Sequence, residues 1–223
     1  MEWIDYPDAE LMAVHLANRL AGELNAALKH KERVLFVVPG GSTPGPVFDS
    51  LCDARIDWER VDVCLSDERW LPEVHVRSNT RLVRERLLTG RAAAARLLPL
   101  HAPDREPEEV LADLEAGIVP LLPIDVCLLG MGTDMHVASL FPGADALDAA
   151  LAPDAPVLVA MRAKGVPEPR VSLSARVLRD ALALHIAITG DAKKAALDRA
   201  RSLEPRDAPV AAVLGEAVVH WAP

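Results

Sequence analysis

What this chain lacks narrows its identity first. Its 24 lysines and arginines are outnumbered by 33 aspartates and glutamates, and no basic block exceeds two or three residues. A formal net charge of −9 leaves no broad electrostatic footprint for nucleic acid or an anionic membrane. An anionic ligand would have to be held by local groups. Cysteine is scarce: Cys52, Cys64 and Cys127 are odd in number and without paired spacing. Two of them sit inside apolar, strand-like runs where a thiol acts as a small hydrophobe, as expected in a reducing cytoplasmic compartment. Long hydrophobic runs are missing too. Nowhere do eighteen apolar residues follow one another, and the opening MEWIDYPDAELMAVHLA carries acids where a signal peptide would carry lysines. A soluble, non-exported protein is expected. Three chemical signatures are also absent: the Lys-Ser/Thr of a nucleotide P-loop, the G-x-G-x-x-G of a dinucleotide fold, and the G-x-S-x-G elbow of a serine hydrolase.

What is present is 223 residues, 51% of them hydrophobic, which suits one domain spanning 1–223 with a sizeable core. Leu11, Val14, Leu16, Leu20, Leu24 and Leu28 recur at mostly helical spacing behind a possible cap at Asp8, predicting a helix over 8–30. The period then changes. VLFVV at 34–38, VDVCL at 61–65, IDVCLLG at 124–130, VLVAM at 157–161 and LHIAIT at 184–189 read as parallel strands covered on both faces. Helical segments are predicted between them near 44–54, 78–89, 107–119, 174–182 and 191–201, and two last short strands near 209–214 and 217–221. This alternation predicts an α/β fold with an open, mostly parallel, doubly wound sheet and helices on both faces.

Each unusual polar cluster directly follows one of these strands. Since ligands of open α/β sheets bind beyond the carboxyl ends of the strands, four such clusters should converge. In PGGSTPG at 39–45, Gly40 and Gly41 allow a sharp turn, Ser42 and Thr43 add hydroxyls, and Pro44 suits the start of a helix. That is a cradle for an oxyanion, better fitted to a phosphate monoester than to a nucleotide. In LSDERW, Asp67 can take a proton or bind sugar hydroxyls, Arg69 can bind phosphate, and Glu68 adds a second acid to the crevice. Ser78 and Asn79 read first as a helix cap and second as ligand contacts. In GMGTDMHVASLFPG at 130–143, His136 can titrate near neutral pH, its tautomer fixed by Asp134 or a backbone carbonyl. No third ligand stands nearby at metal spacing, so no metal is expected. In TGDAKKAAL, Asp191 can cap a helix, and Lys193 or Lys194 in its first turn suits a bound anion, the other being a surface lysine.

Taken together, GGSTP at 40–44, DERW at 67–70 with SN at 78–79, LLGMGTDMHVASLFPG at 128–143, the weaker RVSLSARVL at 170–178 and TGDAKKAAL at 189–197 resemble the 6-phosphogluconolactonase family. The resemblance covers nearly the whole chain. It implies a Rossmann-like, glucosamine-6-phosphate deaminase-like sheet and hydrolysis of 6-phospho-D-glucono-1,5-lactone without metal or organic cofactor. His136 would be the base and Asp67 its partner in orienting the sugar or moving the proton. Gly40, Gly41, Ser42, Thr43, Arg69, Asn79, Arg170 and Lys193 would bind the sugar phosphate, in a monomer or small homo-oligomer. A glucosamine-6-phosphate isomerase/deaminase and a non-catalytic sugar-phosphate sensor are the rival readings. Three positions depart from the family's pattern. Met135 replaces the glycine of Asp-Gly-His, where a left-handed backbone would suit glycine and resist methionine. Thr80 stands where an aromatic is common, and Arg176 replaces a proline, so some trimming of the pocket or local repacking is expected.

Overall fold

The computed structural model describes residues 1–223. In chain order its first half holds β1 (Glu2–Asp5), α1 (Ala9–Leu28), β2 (Val34–Val38), α2 (Gly45–Leu51), β3 (Val61–Leu65), β4 (Asp67–Arg69), α3 (Asn79–Arg86), β5 (Arg96–Leu98) and α4 (Leu111–Ile118). Then follow β6 (Val126–Gly130), α5 (Leu147–Leu151), β7 (Leu158–Met161), β8 (Arg170–Leu173), α6 (Ala175–Arg179), β9 (Ala183–Thr189), α7 (Asp191–Ala200) and β10 (Val218–Ala222). Seven strands form a parallel sheet in the order β1-β10-β9-β6-β2-β3-β5. All five residues of both β2 and β3 are buried, as strands covered on two faces must be. No helix is long and apolar enough to cross a membrane.

Local chemistry explains the elements. The Asp8 carboxylate accepts from the Leu11 amide at 2.7 Å and starts α1, whose Met12, Leu16, Leu20, Leu24 and Leu28 return every four residues to the buried face. Two expectations need correcting. The run at 157–161 is a strand, yet it joins a separate antiparallel sheet, β4-β8-β7, because an apolar run does not specify its pairing partner. The segment at 209–214 is a 3₁₀ turn over Pro209–Val213, where a proline ring opens a short helix and offers no amide to a ladder.

One core residue is an ion. Asp62, the second residue of β3, is fully buried and accepts from Arg33 Nε at 2.9 Å, Arg33 Nη2 at 2.7 Å and Arg96 Nε at 2.6 Å. Burial alone would raise its carboxyl; the hydrogen bonds from Arg33 and Arg96 hold it below the ordinary range. A depressed folded value means stability that is present above the unfolded value of about 3.9 and lost as the pH falls through the folded one. Both arginines are partly exposed, which discounts the effect. Asp62→Asn is therefore expected to cost about 2 kcal/mol at neutral pH, with the gap between urea midpoints closing in acid. Equal midpoints at pH 7 would refute the ion pair's contribution.

Candidate active site

From β2 the chain moves outward through β3 to β5, then returns to the other flank of β2 with β6 and continues to β9 and β10. The reversal at β2 and β6 makes a topological switch point, and the loops leaving the two strands diverge there. A cavity of about 220 Å³ opens at this place. Gly40, Gly41, Ser42 and Thr43 line it from the loop after β2, and Asp67 and Arg69 from β4. Asn79 at the start of α3, His136 after β6, Arg170 at the head of β8 and Lys193 in α7 complete the expected set. All ten face one space.

The glycine turn is tight for two separate reasons. Gly41 has φ +89°, a left-handed backbone, and a Cβ on Gly40 would lie 2.0 Å from Asn79 Oδ1. Across the cavity, the two lysines of α7 part company. Lys193 reaches the cavity, and its burial lowers the ammonium's affinity for its proton. Lys194 turns away to Asp5 at 3.3 Å and lies 3.7 Å above the Trp221 ring. The cap of α7 is Gly190, at φ +86°; Asp191 is the first helical residue, because the chain needs a left-handed step to leave β9.

Strand geometry separates the acids of DERW. In a strand, neighbouring side chains point to opposite faces, so Asp67 and Arg69 share the cavity side and Glu68 does not. Glu68 is fully buried and accepts from the amides of Asn79 at 2.8 Å and Thr80 at 2.7 Å and from Ser78 Oγ at 3.1 Å. The expectation of a second crevice acid is thus corrected: Glu68 satisfies the first amides of α3. Ser78 is the cap of α3, accepting from the Arg81 amide at 3.2 Å. Asn79 Nδ2 donates to the Asp67 carbonyl at 2.9 Å, so this residue also builds the wall it lines. Asp67 itself is 6% exposed and accepts from Ser66 Oγ at 3.0 Å and Ser139 Oγ at 2.6 Å, with Arg170 Nη1 at 3.8 Å. Ser139 escaped sequence reasoning; its place in the ASLFPG block was the available signal.

The loop after β6 presents the imidazole. His136 Nδ1 lies 2.5 Å from Asp134 Oδ1, so Nδ1 carries the hydrogen and Nε2 keeps the lone pair. The same hydrogen bond holds the Asp134 carboxyl below the usual carboxylate range. Met135 does adopt the left-handed backbone, at φ +67°. Its amide donates to the Gly132 carbonyl at 3.0 Å, its carbonyl accepts from Val210 at 3.1 Å, and its side chain packs on the core. Those contacts offset the roughly 1–2 kcal/mol that a left-handed residue costs. Gly132, absent from the expected site residues, lies directly against the imidazole: a Cβ there would lie 2.3 Å from His136 Cε1 and Nδ1, so the ring would have to move. Thr80 and Arg176 stand outside the cavity, Thr80 on the Glu68 carboxylate and Arg176 on the Ala155 carbonyl.

Comparison with known proteins accords with this arrangement. A 6-phosphogluconolactonase of Pseudomonas aeruginosa is 43% identical over 93% of this chain and 89% of its own. One from Rhizobium meliloti is 38% identical over 98% of this chain and 97% of its own. The crystal structure of a 6-phosphogluconolactonase from Shewanella baltica superposes with a TM-score of 0.93 at 31% identity, covering 100% of this chain and 98% of that one. A monomeric glucosamine-6-phosphate deaminase, at 16% identity and a TM-score of 0.81, shares the fold. The profile of glucosamine-6-phosphate isomerases/6-phosphogluconolactonase matches residues 7–221, and the chain belongs to that family.

Proposed function

We propose that this protein hydrolyses 6-phospho-D-glucono-1,5-lactone to 6-phosphogluconate with a water molecule activated by His136. The observation that carries the reading is the Asp134–His136 pair, whose free Nε2 belongs to a ring lining the cavity that also holds the phosphate cradle. A lactone is an activated ester, so a positioned base suffices and no covalent nucleophile is needed. Nε2 takes a proton as the water oxygen bonds to C1, and the imidazolium is stabilised by Asp134. The C1–ring oxygen bond then breaks, and the proton passes to the departing oxygen as it becomes a hydroxyl. General-base help of this kind is worth roughly 10²–10⁴-fold.

The remaining residues act through position. Ser42, Thr43, Arg69 and Lys193 hold the phosphate at the far end of the sugar, and that remote binding fixes C1 beside the water. Asp67 has both oxygens engaged by serines, which suits it to orient sugar hydroxyls. The test is acid release from freshly generated lactone in a pH-stat, with the spontaneous opening subtracted. A rate well above background is expected. No excess from folded protein would overturn the reading, and ammonia released from glucosamine 6-phosphate would replace it with a deaminase.

A further inference from the structure

Arg170 is an unusual cation. Its side chain is only 13% exposed, its Nε has no hydrogen-bond partner, and its two ion pairs are long. Nη1 stands 3.8 Å from Asp67 Oδ2 and Nη2 3.4 Å from Glu168 Oε1. Burial lowers the guanidinium's hold on its proton, and Asp67 is already engaged by two serines. A desolvated charge needs a dedicated counter-ion. Glu168 is the carboxylate that remains. It is 7% exposed and lies outside the cavity lining, and its other oxygen is 2.8 Å from Arg77 Nη1. Neither of its oxygens completes a well-aligned hydrogen bond, so the contact is electrostatic and leaves Arg170 donors unspent.

The backbone around Glu168 is stiff. It lies between Pro167 and Pro169, whose rings fix φ, and the Pro169 carbonyl accepts from the Trp70 amide at 2.8 Å. We infer that Glu168 is a positioning residue: braced by Arg77 on its outer side, it holds the Arg170 guanidinium aimed into the cavity for an oxygen of the sugar phosphate. This rests on the lactonase reading.

Glu168→Gln removes the charge and keeps the shape. We expect KM for the lactone to rise about tenfold, with kcat inside about twofold of the parent. Arg77→Gln, at a half-exposed position, should raise KM by about threefold with the same unchanged kcat. Its combination with Glu168→Gln should be no worse than Glu168→Gln alone, since both act through one carboxylate. A merely structural Glu168 would lower the melting temperature and the active fraction, and so kcat, without moving KM. An unchanged KM in folded Glu168→Gln overturns the inference. If that variant does not fold, an unchanged KM in Arg77→Gln overturns it instead. Wild-type protein without any excess rate would strike down the lactonase reading, and this inference with it.

Discussion

Replacing His136 with alanine is expected to lower kcat by about 10²–10⁴-fold while KM moves by less than about threefold. The imidazole is the only group in the cavity whose hydrogen-bonding leaves a neutral nitrogen lone pair fixed by a partner, Asp134, at 2.5 Å. The phosphate anchors lie on other loops, so the ground-state complex should survive its loss. The fold should survive too, because the side chain is 30% exposed and lies on a turn closed by backbone hydrogen bonds from Gly132 and Met135. The measurement is the pH-stat rate at saturating lactone, beside a circular dichroism spectrum of the variant. Full turnover from a folded His136→Ala protein would remove His136 as the base and turn attention to Asp67, the other titratable acceptor within the cavity.

The sequence was most readable where burial is complete. At 34–38 and 61–65 the apolar runs and the strands coincide, since a parallel strand covered on both faces has no polar positions to blur its ends. It was least readable where strands are short and charged. Asp67–Arg69 and Arg170–Leu173 pair antiparallel beside the cavity, and their charges read as ligand groups on loops. The chemistry of those residues was legible and their geometry was not. Alternation along β4 sends Glu68 to the first amides of α3 and leaves Asp67 and Arg69 on the cavity side, a distinction that depends on knowing the segment is extended.

The same limit explains which site residues went unread. Three of the four strand exits that converge at the switch point announce themselves through glycine, and the fourth, after β3, through the charges of Asp67, Glu68 and Arg69. Supporting groups have no such signature. Ser139 reaches Asp67 across 72 positions of sequence, and Glu168 meets Arg77 across a longer span still, so nothing local marks either as a partner. Met135 shows the converse. Local preference argued against a left-handed methionine, and the tertiary contacts of its carbonyl and side chain hold it there.

Gly132→Ala should show how closely the base is held. Gly132 is outside the left-handed region, so no positive φ opposes alanine, and the three atoms nearest the added methyl are His136 Cε1 and Nδ1 and, at 2.4 Å, Asp134 Oδ1. All are side-chain atoms able to swing aside. Little stability is therefore lost, whereas the Nδ1–Oδ1 bond and the direction of Nε2 cannot persist. A displacement of about 1 Å at a reacting group costs on the order of 10²-fold, and that is the fall expected in kcat, with a melting temperature close to the parent's. The variant also separates two explanations of any loss. If Gly132 acts by aiming His136, Gly132→Ala in a His136→Ala background should add no further loss, because its target has already gone. A further tenfold drop in that double variant would mean that the methyl damages the cavity itself, and the aiming role assigned to Gly132 would fall.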